Sequence, residues 1–298
     1  MRYSKLTEQE QITTVEDYKT GKFSLRTLAK RYGISHQGIK GVLKRRGVTI
    51  DVDRTCRIYT IDHNYFDKID SEEKAYILGF FYADGYNNEK LGQVQMGLQD
   101  RDKPILDKIN TLINSNRPLQ FFDYGIKRPN CRNQYMLLLH SQKISSDLAR
   151  LGCFQKKSLT LKFPTEEQVP KHLLRHFLRG SFDGDGGIMI YLKHKKKTIY
   201  PVYTVSLVST NDFCLGAQKF IKEDMGTNSQ IYEISRHKGN NHPTRVLQMG
   251  GNQQVYKFLK WLYSDSTIFL SRKMDKFLEI EKALKERVNA SPGPIPVI

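Results

Sequence analysis

Nine residues that occur twice constrain this chain more than any other feature in it. The first copy is Ile77-Leu78-Gly79-Phe80-Phe81-Tyr82-Ala83-Asp84-Gly85 and the second is Leu178-Arg179-Gly180-Ser181-Phe182-Asp183-Gly184-Asp185-Gly186. Both place small residues third and seventh, an aromatic fifth, and Asp-Gly at the end. Asp185 follows Asp84 by 101 residues. A period that long fits a duplicated subdomain and not a solenoid.

Each copy reads as a helix. Ahead of the first, Asp70 can cap and Glu73 can reach back as a capping-box partner; ahead of the second, Pro170 suits a first helical position. Residues 75–83 are apolar on every side, which predicts burial all round. Gly79 and Ala83 stand four apart, as do Gly180 and Gly184, so small residues stack on one face of each helix. Two such faces can approach backbone to backbone. Gly85 and Gly186 are placed to end the helices in the left-handed conformation.

If the helices pair in parallel through these faces, Asp84 and Asp185 meet at two C-terminal ends. The helix dipole disfavours a carboxylate there, and two neighbouring carboxylates repel. A divalent cation reverses the sign of both effects, and hard oxygen ligands point to Mg2+. The doubled motif resembles that of the LAGLIDADG homing endonucleases in their single-chain, two-motif form, over roughly residues 55–285. Tyr82 departs from the family pattern, which has Asp at that position; Asp183 keeps it, on another side of the helix from Asp185. The resemblance implies an α+β fold of two pseudo-symmetric αββαββα repeats forming a DNA-binding saddle. It also implies a monomer that cuts double-stranded DNA with Mg2+ held by Asp84 and Asp185, leaving 3′-hydroxyl and 5′-phosphate ends. The family places a basic residue at each active-site edge, and the matching positions here are Lys157 and Lys273.

Charge agrees with a nucleic-acid partner. The 298 residues carry 48 Lys+Arg against 31 Asp+Glu, a net charge of +17 and a pI near 9.6, an excess that suits a polyanion. The four cysteines, Cys56, Cys131, Cys153 and Cys214, are scattered without a Cys-x-x-Cys, so neither zinc nor a disulfide framework is indicated and a reducing cytoplasm fits. No signal peptide or membrane-spanning run is expected.

Along the chain, residues 1–50 read as a small helical domain with helices near 7–18, 24–32 and 36–46. Ala29, Gly33, Ile39 and Val42 resemble a helix-turn-helix pattern. The third helix would then read a major groove, with His36, Gln37, Lys40, Lys44 and Arg45 outward. Residues 51–70 read as a linker with a short lead-in, 71–170 as repeat one, 171–290 as repeat two and 291–298 as a floppy tail. In each half the order is helix, two strands, helix, two strands, helix. The hairpin loops collect positive charge: Arg128 and Arg132 in repeat one, Lys193, Lys195, Lys196 and Lys197, then Arg236 and Lys238, in repeat two. These are candidate phosphate contacts. His172 and His176 have a zinc-binding spacing but lack the Glu that would follow the first His, and they read instead as a polar face near a helix start.

Two other functions fit the same pattern: a non-cutting DNA-binding regulator and an RNA maturase. Retention of both aspartates favours cutting, and a DNA-type reading helix argues against the RNA role.

Overall fold

The computed structural model describes residues 6–20, 23–50, 59–124, 132–155, 157–195, 198–234 and 244–290, without the side chains of 195, 198 and 287–290. The expected tail at 291–298 and the 51–58 part of the expected linker lie outside the described residues. The chain divides into two compact units, 1–61 with 115–117, and 62–114 with 118–298.

The first unit holds α1 (Glu8–Lys19), α2 (Leu25–Arg31) and α3 (His36–Arg45). Each begins on a hydroxyl cap, which satisfies an amide that the helix itself leaves unpaired. Thr7 forms a capping box with Glu10, Ser24 accepts from the Thr27 amide, and Ser35 accepts from the Gly38 amide. Tyr18, Leu25, Leu28, Ala29, Ile34, Ile39 and Leu43 form the core. Gly33 turns the chain between α2 and α3 with a φ of 62°, a conformation costly for any residue with a Cβ.

The second unit is an internal duplication. Repeat one runs α4 (Glu72–Asp84), β1 (Gly85–Asn88), β2 (Gln93–Gln99), α5 (Lys103–Leu112), β3 (Gln120–Phe122), β4 (Gln134–His140) and α6 (Gln142–Arg150). Repeat two runs α7 (Leu174–Asp185), β5 (Gly186–Lys195), β6 (Thr198–Thr210), α8 (Asn211–Met225), β7 (Gln230–Glu233), β8 (Thr244–Gly250) and α9 (Asn252–Tyr263), and α10 (Ser271–Ala290) follows. The sheets are four-stranded, ordered β1-β2-β4-β3 and β5-β6-β8-β7, with antiparallel pairing throughout. This is the expected α+β architecture of two αββαββα halves. On β2 the alternation sends Val94, Met96 and Leu98 into the core and leaves Gln93, Gln95 and Gln99 on the other face.

Four local expectations are corrected. The cap of α4 is Ser71, which accepts from the Lys74 amide, while Asp70 pairs with Lys74 at 2.8 Å. Gly85 and Gly186 are extended, at φ −82°, ψ 147° and φ −84°, ψ 160°. Each helix therefore passes directly into a strand with no left-handed stop. Glycine is needed there for space: a Cβ on Gly85 would lie 2.3 Å from the Phe81 ring, and one on Gly186 2.4 Å from the Phe182 ring. Tyr65, Phe66 and Ile69, from the stretch read as a lead-in, are buried because they complete the core beside α4. Lys193 and Lys195 belong to β5 and not to a loop, because β5 pairs with β6 as far as Lys195 opposite Thr198.

Candidate active site at the paired helix ends

The small-residue stripes bring α4 and α7 together in parallel. A Cβ on Gly79 would lie 2.0 Å from the Phe177 carbonyl oxygen, and one on Gly180 1.9 Å from that of Tyr76. Backbone meets backbone in both cases. Ser181 adds to the seam, its hydroxyl donating to the Gly79 carbonyl at 3.2 Å. From Ala75 to Tyr82 every residue of α4 is buried.

Parallel pairing in this register carries Asp84 and Asp185 to the same end. A Cβ on Gly184 would sit 2.9 Å from Asp84 Oδ2, so the carboxylate of one helix lies against the last turn of the other. Both carboxylates reach solvent, yet the helix ends around them withdraw water. Burial raises Asp84 above the usual carboxylate range, offset by Lys273 and Lys157. Burial, and then the charge of Asp84, pushes Asp185 up to about 6.

Lys157 and Lys273 complete the group from opposite repeats. Both are buried, at 6% and 2% exposure, far below what a lysine normally tolerates. Lys157 Nζ donates to the Gly85 carbonyl at 2.6 Å. Lys273 Nζ donates to the Gly186 carbonyl at 2.6 Å and to the Phe182 carbonyl, and it lies 4.8 Å from the Phe182 ring centre. Each ammonium thus sits on the carbonyl immediately after an aspartate, at the negative end of a helix. Burial lowers Lys273 to about 8, which leaves it mostly protonated at neutral pH. The arrangement amends the electrostatic expectation from sequence. Two positive charges already face the two carboxylates, so a bound cation is not the sole possible source of countercharge.

Among the described residues no group of three or more His, Cys, Asp or Glu side chains is placed to hold a metal ion. Two carboxylates from two helix ends, without nitrogen or sulfur, do not fit zinc or a caged calcium ion. They do fit Mg2+, which keeps several waters and shares substrate oxygens beside one or two carboxylates.

A carboxyl whose folded pKa lies above its unfolded value near 3.9 is destabilising once ionised, so with Asp185 stability falls as pH rises from about 4 through about 6. Metal-free Asp185→Asn is therefore expected to melt about 2–3 °C above the parent at pH 7, after allowance for solvent screening at the carboxylate tip. The gain should fade toward pH 4. A gain of equal size at both pH values in thermal melts would contradict the assignment.

On α3, Gln37, Lys44 and Arg45 are exposed, and His36 and Lys40 are half-buried. Arg132 is exposed and donates to Gln99 at 3.5 Å, and Lys193 is exposed near the far end of β5. Lys195 ends β5, with its side chain outside the description. Arg128, Lys196, Lys197, Arg236 and Lys238 lie outside the described residues. His172 is exposed, but His176 is buried and 2.8 Å from Arg179 Nη1, with its pKa lowered to about 4 by burial and by Arg179. The pair therefore does not form the polar face expected from sequence.

Sequence reasoning missed three features. Asp183 is fully buried and accepts from Tyr76, Tyr263 and the Leu270 amide. Arg272 Nε lies 3.2 Å from both Asp102 oxygens, clamping α10 to repeat one near Asp84. The open face of the first sheet is rich in glutamine: Gln93, Gln95 and Gln99 on β2, Gln134 on β4 and Gln120 on β3 share it by register. The polar half of the alternation Gln93-x-Gln95-x-Gly97-x-Gln99 carried that last signal.

No protein-family model matches the sequence, and no curated protein matches it. The fold is similar to solved structures of LAGLIDADG enzymes. One is the I-SmaMI LAGLIDADG homing endonuclease bound to cleaved DNA, at 13% identity and TM-score 0.46, covering 73% of this chain and 91% of that one. A mutant of I-SmaMI aligns at 11% identity and TM-score 0.49, covering 73% and 94%. The LAGLIDADG meganuclease I-AabMI bound to uncleaved DNA aligns at 11% identity and TM-score 0.47, covering 71% and 91%. At that distance function has to be argued from this chain's own residues. Among the described residues no helix is long and apolar enough to cross a membrane.

Proposed function

We propose that the chain is a site-specific double-stranded DNA endonuclease of the homing type. It would hydrolyse one phosphodiester in each strand with Mg2+ and leave 3′-hydroxyl and 5′-phosphate ends. The observation that carries this reading is the meeting of Asp84 and Asp185 at one end of a backbone-tight helix pair, with Lys157 and Lys273 buried beside them. Such a cluster has the wrong chemistry for a core and the right chemistry for a phosphate under attack.

Asp84 and Asp185 would hold the metal. Bound Mg2+ would supply Lewis acidity at the phosphate and stabilise charge on the leaving oxygen. An ammonium carries three donors; Lys157 directs one to the Gly85 carbonyl, and Lys273 directs two to the Phe182 and Gly186 carbonyls. The donors left over can meet charge growing on the phosphate oxygens. The glutamines on the first sheet offer amides of the kind that pair with adenine edges. On α3, His36, Gln37, Lys40, Lys44 and Arg45 offer the groups used for phosphates and bases, so the first unit would add a second DNA contact.

The test needs a duplex that the protein itself selects. One is recovered by binding from a randomised library in EDTA and then given magnesium. Cleavage in both strands with magnesium and none in EDTA is expected. Removal of residues 1–50 should weaken binding and flatten its salt dependence, by about one unit of slope for each phosphate no longer neutralised; unchanged binding would remove the first unit from the interface. Tight binding with no nick at any magnesium concentration would establish the second reading, a non-cutting DNA-binding regulator. That reading is favoured by the two lysines, which neutralise the acid pair without a metal.

A further inference from the structure

The two halves of the site are not seated alike. Asp183 and Tyr82 occupy the same position in the two motif copies, and their side chains do opposite things. Tyr82 donates its hydroxyl to the Leu151 carbonyl at 2.5 Å, in the turn where Gly152 leaves it room. Asp183 is fully buried. Its carboxylate accepts from Tyr76 at 2.7 Å, from Tyr263 at 2.5 Å and from the Leu270 amide at 2.7 Å. Leu270 immediately precedes α10, and its carbonyl accepts from the Lys273 amide at 2.9 Å. The Lys273 ammonium then returns to the carbonyl of Phe182, the neighbour of Asp183. The path from Asp183 through Leu270 and Lys273 to Phe182 closes on itself. Arg179 braces the same segment, donating to the Ile268 carbonyl at 3.0 Å. On the other side, the described bond of the Lys157 ammonium is to Gly85, and no fully buried carboxyl group is described on the segment before it: Asn87 donates to the Cys153 carbonyl at 2.9 Å, and the Gln155 amide donates to the half-buried Glu89 carboxylate at 3.3 Å.

We propose that Asp183 is a positioning residue for Lys273 alone, so that one strand's cleavage depends on a buried carboxylate that the other strand's cleavage does not use. This rests on the nuclease reading above for its consequence in DNA, though not for the link between Asp183 and Lys273. Weakening this acceptor of the Leu270 amide loosens the start of α10, and Lys273 loses its fixed place beside Asp185. Lys157, reached from α6 through a different turn, keeps its own.

Two measurements test this. The first is brief labelling of the folded, DNA-free protein with acetic anhydride, read by peptide mass spectrometry. Asp183→Asn should raise labelling of Lys273 about tenfold relative to Lys157. Tyr263→Phe, which removes one donor and spares the carboxylate, should raise the same ratio by a smaller factor, and it serves if Asp183→Asn does not fold. Tyr82→Phe should leave the ratio unchanged. The second measurement is strand-resolved nicking of the library-selected duplex, with Lys273→Met identifying the dependent strand. Asp183→Asn should slow that strand about tenfold and spare the other. An unchanged labelling ratio, or equal slowing of both strands, would overturn the proposal. If the unaltered protein nicks no duplex, the nuclease reading falls by itself, and the labelling ratio still decides whether Asp183 seats Lys273.

Discussion

Asp185→Asn is expected to lower magnesium-dependent cleavage of one strand roughly a thousandfold while DNA binding persists, and Asp84→Asn should do the same to the other strand. Asn keeps the shape of the side chain and removes its charge. If the carboxylates hold a metal, the loss falls on chemistry. Binding measured in EDTA should stay level or tighten, because two anions beside a phosphate repel it and each substitution removes one. A structural role has the opposite signature: affinity and cleavage would fall together. Magnesium-dependent cleavage that survives both substitutions would end the assignment of these aspartates. The buried lysines sharpen the test. With one carboxylate gone, Lys157 and Lys273 outnumber the anions, so the double variant should bind DNA most tightly and cut it least.

Gly180→Ala should cost about 4 kcal/mol of stability, a large share of the ~5–15 kcal/mol that holds an ordinary domain. The added methyl would stand 1.9 Å from the Tyr76 carbonyl oxygen and 2.8 Å from the Phe80 amide nitrogen. Both are backbone atoms, so no rotamer change relieves the clash, and α4 and α7 must separate. Separation also parts Asp84 from Asp185, so cleavage should be lost even where the protein still folds at low temperature. Gly97→Ala is the control: its Cβ would find nothing nearer than 3.7 Å, and its cost should stay within about 0.5 kcal/mol. Urea unfolding of the two variants separates the outcomes. A Gly180→Ala midpoint close to that of Gly97→Ala would mean that the helices do not pack as described.

Much of this architecture was legible before any coordinates. Burial of residues 75–82 follows from apolar residues on every side of one helix, and the alternation of β2 follows from a period of two. The three helices of the first unit were legible as well, and the structure adds that Thr7, Ser24 and Ser35 cap them, each hydroxyl three residues before its amide. The stripes of Gly79 with Ala83 and Gly180 with Gly184 indicated close approach of two helices, and the structure supplied the parallel direction that the sequence reading took as a condition. The misreadings were local ones with a distant cause. Gly85 and Gly186 looked like helix stops, but their extended backbone is set by the strands they begin and their missing Cβ by the rings of Phe81 and Phe182.

The sequence by itself determined the duplication, the order of helices and strands in each half, and the two acids that end the central helices. All of these depend on interactions within a few residues or on a repeat that can be counted. Only the tertiary structure decided what surrounds those acids. Lys157 reaches a carbonyl 72 residues away, Lys273 one 87 residues away, and Tyr76 a carboxylate 107 residues away. No propensity or spacing encodes such meetings. They exist because two glycine faces let helix backbones touch, and the same close packing excludes water, shifting Asp185 and Lys273 from their ordinary pKa values and enclosing Asp183 completely.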